Sequence, residues 1–380
     1  MLYALSFFMM RRFDRILYQG DKTLGTKILL SPLYLLSLPY GWIVRLRVRF
    51  YASGLLKARH LSCPVISVGN ITAGGTGKTP LVMTLAKGLM DRKILVAILS
   101  RGYKREKGSA PLVSDGKTVF LSPRESGDEP FLMAEVLKGI PVLAGKDRFA
   151  NGQMALQRFG IRGLLLDDGY QHLRLHRDLN ILLIDSQTGF GDGHLLPRGI
   201  LREPLSHLRR AQIFLLTKVE SLDACQGLEK RLHEIHSSAQ VFHSHYEPLG
   251  LVGPKEEFEN LHSLKGKRVL AFSGIATPDH FSALLRKCGM DVTREVIFPD
   301  HHLYSAKDLA FIEERSEALD WVVTTEKDML KFRNFKMGHL PLRALRIRMK
   351  IWEEKEFYGK VLNLFGAEEK KRNGYTDQNI

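Results

Sequence analysis

"PVISVGNITAGGTGKTPLV", residues Pro64–Val82, decides the fold. An apolar run of strand length ends at Gly69. A glycine-rich turn follows, and Lys78-Thr79 open a segment with helical apolar spacing. Strand, glycine turn and helix in that order make a phosphate-binding loop, because backbone N–H groups and a helix N-terminus converge on an anion. Gly74, Gly75, Thr76 and Gly77 would wrap the phosphates, Lys78 would reach their oxygens, and the Thr79 hydroxyl would bind Mg²⁺. One detail departs from G-x-x-x-x-G-K-[ST]: Thr72 stands where the first glycine belongs.

The loop lies in the basic part of a basic chain. Residues 1–110 hold 18 Lys and Arg against 4 Asp and Glu, which is nearly all of the net charge of +15. Such an excess suits nucleic acid, an anionic membrane or an anionic substrate. The neighbouring sequence favours a membrane. Ile28 to Val44 is apolar, carries Tyr40 and Trp42, and is closed by Arg45, Arg47 and Arg49. It is short for a spanning helix, and Pro32 and Pro39 interrupt it. The expectation is a helix pair lying in one leaflet with arginines at anionic headgroups, the alternative being a buried N-terminal hairpin packed on the domain. Three scattered cysteines offer neither a disulfide framework nor zinc spacing, which suits a reducing compartment.

After the first 60 residues, short apolar runs alternate with helical stretches, the signature of an α/β sheet. Residues 64–69, 94–100, 162–168, 179–185 and 212–218 read as buried strands, with helices over 78–91 and 150–158. A polar stretch at 253–267 precedes a second round of alternation: strands at 268–274, 291–298 and 321–325, helices at 278–288 and 306–316. The expected organisation is therefore a membrane-associated helical segment (1–60), a P-loop NTPase-type core with a mainly parallel sheet (61–250), a smaller α/β domain (251–365) and a flexible tail (366–380).

A P-loop needs an acidic group at a nearby strand end to hold its metal. "GLLLDDGYQH" places Asp167 and Asp168 after a buried run, where two adjacent carboxylates call for a cation. Thr217-Lys218-Val219-Glu220 approaches the base-specifying [NT]KxD of GTP-binding switches, with Glu in place of Asp. A nucleotide-dependent switch is thus the competing class.

The order of motifs points elsewhere. "VGNITAGGTGKTP", "ILSRGYKR", "SGDEP", "DDGYQHLRLHRDL", "GHLLPRGILREPL", "LLTK", "FSGIATP", "PDHH" and "TTEKD" follow one another between Val68 and Asp328, within a likeness that covers roughly residues 10–365. This set resembles the tetraacyldisaccharide 4'-kinase family, the lipid A 4'-kinases of Gram-negative bacteria. The resemblance implies transfer of the γ-phosphate of ATP, with Mg²⁺, to the 4'-hydroxyl of a tetraacylated glucosamine disaccharide 1-phosphate. It makes Asp128 the base for that hydroxyl and His301 its partner, from different domains, so that the pair forms on closure. By itself Asp128 reads as a helix cap. The resemblance also suggests Glu203 as an aid to Asp167 at the metal, and Gln171 and His172 in the cleft. Arg101, Tyr103, Arg148, Arg177 and Arg202 become candidates for the acceptor's polar head.

Overall fold

The computed structural model describes residues 24–255, 257–332, 335 and 340–376. The part of the expected N-terminal segment that precedes residue 24 lies outside them. Thirteen strands form one mixed, mainly parallel sheet. Its first half contains β1 (Val65–Gly69), β2 (Val96–Ser100), β3 (Leu112–Ser114), β4 (Val142–Ala144), β5 (Gly163–Asp167), β6 (Leu179–Asp185) and β7 (Ile213–Thr217). Every residue of β1, β2, β5, β6 and β7 is buried, which is why each reads as an unbroken apolar run.

β1 lies between β5 and β6, parallel to both. The connection from β1 to β2 runs to one side of the sheet and that from β5 to β6 to the other, so a crevice opens beyond the carboxyl ends of these strands. The glycine loop, Arg101, Asp167, Asp168 and Lys218 all follow strand ends at this edge.

β8 (Gln240–Val252) joins the two halves. Its first residues run parallel to β7, and the remainder pairs antiparallel with β13 (Leu342–Ile351). β9 (Phe258–Asn260) also pairs with β8. Beyond β13 lie β12 (Trp321–Thr325), β10 (Arg268–Ser273) and β11 (Asp291–Ile297), all parallel. The loops after β10, β11 and β12 supply Ala276 and Thr277, His301, and Lys327, which line the same cleft as the glycine loop.

α1 (Ser31–Ala52) is one continuous helix of 22 residues, preceded by a short helix at Leu24–Leu29. Pro32 sits at its first turn, whereas Pro39 is carried inside it, contrary to the expected interruption. Pro39 lies on an exposed face, so its missing N–H costs one hydrogen bond and the helix continues. Among the described residues no helix is long and apolar enough to cross a membrane. Yet Leu35, Leu36, Leu38, Trp42 and Ile43 of α1 are each more than half exposed.

α2 (Lys78–Asp91) and α3 (Glu354–Thr376) pack together. Tyr358 of α3 donates to the Thr84 carbonyl at 3.0 Å and fits against Gly88, where any Cβ would collide with its ring. Phe357, Val361 and Phe365 complete the core formed by Ile66, Val68, Leu81 and Leu85. The last helix thus seals the first half of the sheet, and the expected tail continues it as helix to Thr376.

Candidate active site

The glycine loop turns sharply into α2 at Gly77, whose φ of +88° suits only glycine. A Cβ there would also strike the Tyr246 hydroxyl. Thr217 Oγ1 donates to the Thr76 carbonyl at 3.1 Å, so the end of β7 supports the loop from below. The Lys78 ammonium lies 3.3 Å from Asn70 Oδ1 and 3.7 Å from Asp168 Oδ1. Gly74 to Thr79 all line the cleft, a single cavity of about 2460 Å³ that lies between the two halves of the sheet.

Asp167 and Asp168 sit beside the loop in different electrostatic surroundings. Asp167 is 1% exposed and accepts from Ser100 Oγ at 3.0 Å, while its Oδ1 is buried without a partner. Burial, with Glu129 and Asp168 nearby, pushes its carboxyl up to about 7. Burial would raise Asp168 too, but Lys78 and Arg202 outweigh it and hold it below the usual range. Arg202 reaches both oxygens of Asp168 at 3.2 Å.

An orphaned carboxylate oxygen among hard oxygen donors fits Mg²⁺. Asp167, Asp168 and Thr79 are the residues that would hold it. Among the described residues no three His, Cys, Asp or Glu side chains converge on one point. A nucleotide-borne Mg²⁺ needs only one or two protein carboxylates, because phosphates and water complete its shell.

Asp128 opens the helix Asp128–Val136, which packs on the first half of the sheet, and its carboxylate meets the loops of the second half. His301 Nδ1 lies 3.2 Å from Asp128 Oδ2, and Lys331 Nζ lies 3.2 Å from the same oxygen. His301 Nε2 faces Lys327 Nζ at 3.4 Å. An ammonium can only donate, so Nε2 accepts and Nδ1–H donates to Asp128. Burial opposes ionisation of Asp128, but the His301 hydrogen bond and the Lys331 and Lys327 charges prevail and lower its carboxyl. Asp128 Oδ1 has no partner among the described residues and remains available. The Tyr103 ring lies 5.3 Å from that of His301.

Arg101, Tyr103, Arg148, Gln171, His172 and Arg202 line the cleft as expected of acceptor contacts. Arg148 is 6% exposed, yet its Nε is unpartnered. Burial, followed by the charges of Arg148, Arg177, Arg47 and Arg174, drives the His172 imidazole down to about 4. The arginine charges add to the burial, and Arg47, Arg148 and Arg174 among them line the cleft.

Two expected residues are placed otherwise. The Glu203 carboxylate is taken up by His207 Nδ1 at 2.6 Å and by Arg210, rather than shared with Asp167. Arg177 does not line the cleft. Its guanidinium donates to the His172 carbonyl at 2.8 Å, the Leu175 carbonyl at 3.2 Å and Asn180 Oδ1 at 3.2 Å. Lys218, in the base-specifying-like stretch, turns down onto Asp185 at 2.5 Å, and Glu220 pairs on the surface with Lys287.

Conversely, Glu129, Lys327 and Lys331 had no assigned role in the sequence. Glu129 is next to Asp128, and Lys327 lies within "TTEKD". Spacing gives none of the three a role, because a lone charge reads as solvated until the fold gives it a partner.

Comparison with known proteins agrees with this geometry. Residues 27–365 match the family model described as tetraacyldisaccharide-1-P 4'-kinase. The tetraacyldisaccharide 4'-kinase of Desulfatibacillum aliphaticivorans is 39% identical, covering 91% of this chain and 95% of the relative. That of Syntrophus aciditrophicus is 42% identical over 86% and 91%. A crystal structure of LpxK from Aquifex aeolicus, an "apo" form in complex with ATP, superposes with a TM-score of 0.72 at 37% identity. The match covers 89% of this chain and 99% of that one.

Proposed function

The chain belongs to the tetraacyldisaccharide-1-P 4'-kinase family, and on that premise we propose how its cleft moves the γ-phosphate of ATP to the 4'-hydroxyl of a tetraacylated, 1-phosphorylated glucosamine disaccharide. One observation carries the reading. The glycine loop and His301, which is hydrogen-bonded to Asp128, line one cavity, so phosphate donor and hydroxyl acceptor can meet within it.

Lys78 and the N–H groups of residues 74–79 hold the ATP phosphates and neutralise charge as the γ-phosphoryl group departs. Asp167, Asp168 and Thr79 would hold Mg²⁺, which would supply further neutralisation there. Asp128 Oδ1 accepts the proton of the 4'-hydroxyl as its oxygen bonds to the γ-phosphorus, and ADP leaves with the electrons of the broken P–O bond. The proton stays on Asp128 until it passes to solvent. His301 donates to Oδ2, which orients the carboxylate and shares its charge. A lowered carboxyl is a weak base, but phosphoryl transfer depends more on position and charge than on basicity. Arg101, Arg148 and Arg202 hold the acceptor's polar head.

The exposed apolar residues of α1 and the arginines that follow them support peripheral binding to the anionic cytoplasmic face of the inner membrane, where an acylated acceptor resides.

The test is transfer of label from γ-labelled ATP to the disaccharide in mixed detergent micelles. Labelled lipid is the expected product. Preferential hydrolysis of GTP with no labelled lipid would return the chain to the switch class.

A further inference from the structure

A second network stands behind the Asp128–His301 pair. Lys331 occupies the short turn Leu330–Phe332, and only 7% of its side chain is exposed. An ammonium has three donors, and this one meets three acceptors. They are Asp128 Oδ2 at 3.2 Å, Asp328 Oδ1 at 3.3 Å and the His302 carbonyl at 3.1 Å. Asp328 is fully buried, and its Oδ2 accepts from the Gly274 N–H and from Thr325 Oγ1, both at 2.9 Å. The Gly274 carbonyl in turn accepts the His301 N–H at 3.1 Å. His301 itself has a φ of +60°, a region that a side-chain-bearing residue keeps only when its surroundings impose it.

We propose that Lys331, seated on Asp328, is the positioning residue that holds Asp128 and the His301 loop in one register across the cleft. The proposal rests on the reading that Asp128 takes the acceptor's proton. A buried ammonium needs a counter-ion, and Asp328 alone would serve. The reach to Asp128 adds nothing to that need, because Asp128 belongs to a helix on the other side of the cleft. What it adds is geometry. One nitrogen fixes Asp128 through Oδ2 and the His301 loop through the next carbonyl. Asp328 fixes the same loop from behind through Gly274. With Oδ2 occupied by both His301 and Lys331, Oδ1 is the oxygen left for the acceptor.

Lys331 touches neither ATP nor the transferring group in this scheme, so its loss should act on kcat and spare nucleotide binding. In Lys331→Met, kcat for transfer to the disaccharide should fall on the order of 100-fold, with KM for ATP unchanged within about threefold. The double variant with Asp128→Ala should be no more than about threefold slower than Asp128→Ala alone, because one broken member already disables the unit. Near-normal kcat in Lys331→Met, or losses that multiply in the double variant, would overturn the proposal. Asp128→Ala measured alone tests the underlying reading separately: full activity there removes Asp128 as the base whatever Lys331 does. Should Lys331→Met fail to fold, Lys331→Arg decides. It keeps the charge beside Asp328, but a planar guanidinium cannot present one atom to three acceptors. Its melting temperature and ATP affinity should hold while kcat drops about tenfold. An Arg variant with full kcat would reduce Lys331 to a counter-ion for Asp328.

Discussion

The phosphate grip and the acceptor side of the cleft are assembled in opposite ways. Residues Asn70 to Thr79 form one unbroken turn between a strand and a helix, so the chain's own connectivity gathers the groups that hold ATP. Asp128 and His301 are 173 positions apart, and Lys331 comes from a third loop. They meet because the helix that Asp128 opens, in the first half, abuts the segments that follow β11 and β12, in the second. A contiguous grip survives any rearrangement that keeps β1 and α2 intact, whereas the acceptor side exists only while both halves of the sheet hold their relative position. The first should fail through lost contacts with the nucleotide, the second through lost register.

The largest effect expected of any substitution tests the grip. Lys78→Ala should reduce kcat by roughly 10³–10⁵-fold, the range seen when a cation that stabilises the phosphoryl-transfer transition state is removed. Thr79→Ala should fall near the lower end. If both variants turn over normally in a steady-state assay, the nucleotide binds elsewhere. The support beneath the grip is next. Lys218 and Asp185 are a buried ion pair, with 3% and 6% of their side chains exposed. Lys218→Met would leave Asp185 unpaired at the strand edge that carries Thr217. A loss of about 3–5 kcal/mol in urea unfolding is expected, and an unchanged midpoint would show that water or another cation compensates.

On the acceptor side, Asp128→Ala and His301→Ala should each lower kcat on the order of 100-fold, with modest changes in KM. In the double variant the loss should be less than the product of the two. A His301→Ala variant whose defect lies mainly in the KM for the lipid would make the imidazole a binding group and leave Asp128 to act alone. The contrast between a local and an assembled site would then rest on Asp128 and Lys331.

The same contrast governs what could be read from the sequence. β1, β6 and β12, and the helices at Lys78–Asp91 and Ala306–Ser316, fall where their patterns place them, because fully buried strands and amphipathic helices announce their periods locally. β8 and β13 were not readable. "LRALRIRMKI" alternates arginine with apolar residues on a strand that is only partly buried, and its partner lies about a hundred residues away. Arg177 reads as a cleft residue because it sits in a motif beside cleft residues, and Glu203, which does line the cleft, reads as free for a metal although His207 and Arg210 take it up. Whether a charged side chain faces a ligand or the protein's own carbonyls depends on rotamer and neighbours, which spacing does not encode. Lys331 is the reverse case: a lysine in a polar loop, ordinary in sequence, whose surroundings make it a three-way tie.

The smallest expected effect concerns pH, and it again separates the two sides. Burial, aided by the arginines around it, depresses the His172 imidazole to about 4, against 6.5 for the unperturbed group. Above 6.5 the imidazole is neutral in both folded and unfolded chains and contributes no slope. As pH falls from 6.5 towards 4, the unfolded chain takes up a proton that the folded chain refuses, so stability drops across that window. Other groups titrate in the same range, His280 among them, which is also depressed to about 4. The comparison must therefore be a difference between proteins. His172→Gln should flatten the fall in stability between pH 6.5 and 4 by on the order of 2 kcal/mol, read from urea unfolding of nucleotide-free protein at several pH values. It should leave the slope above pH 7 unchanged. A variant that parallels the parent throughout would mean that His172 titrates near its ordinary value, and that the arginines around it are screened by solvent rather than gathered into an anion-attracting rim.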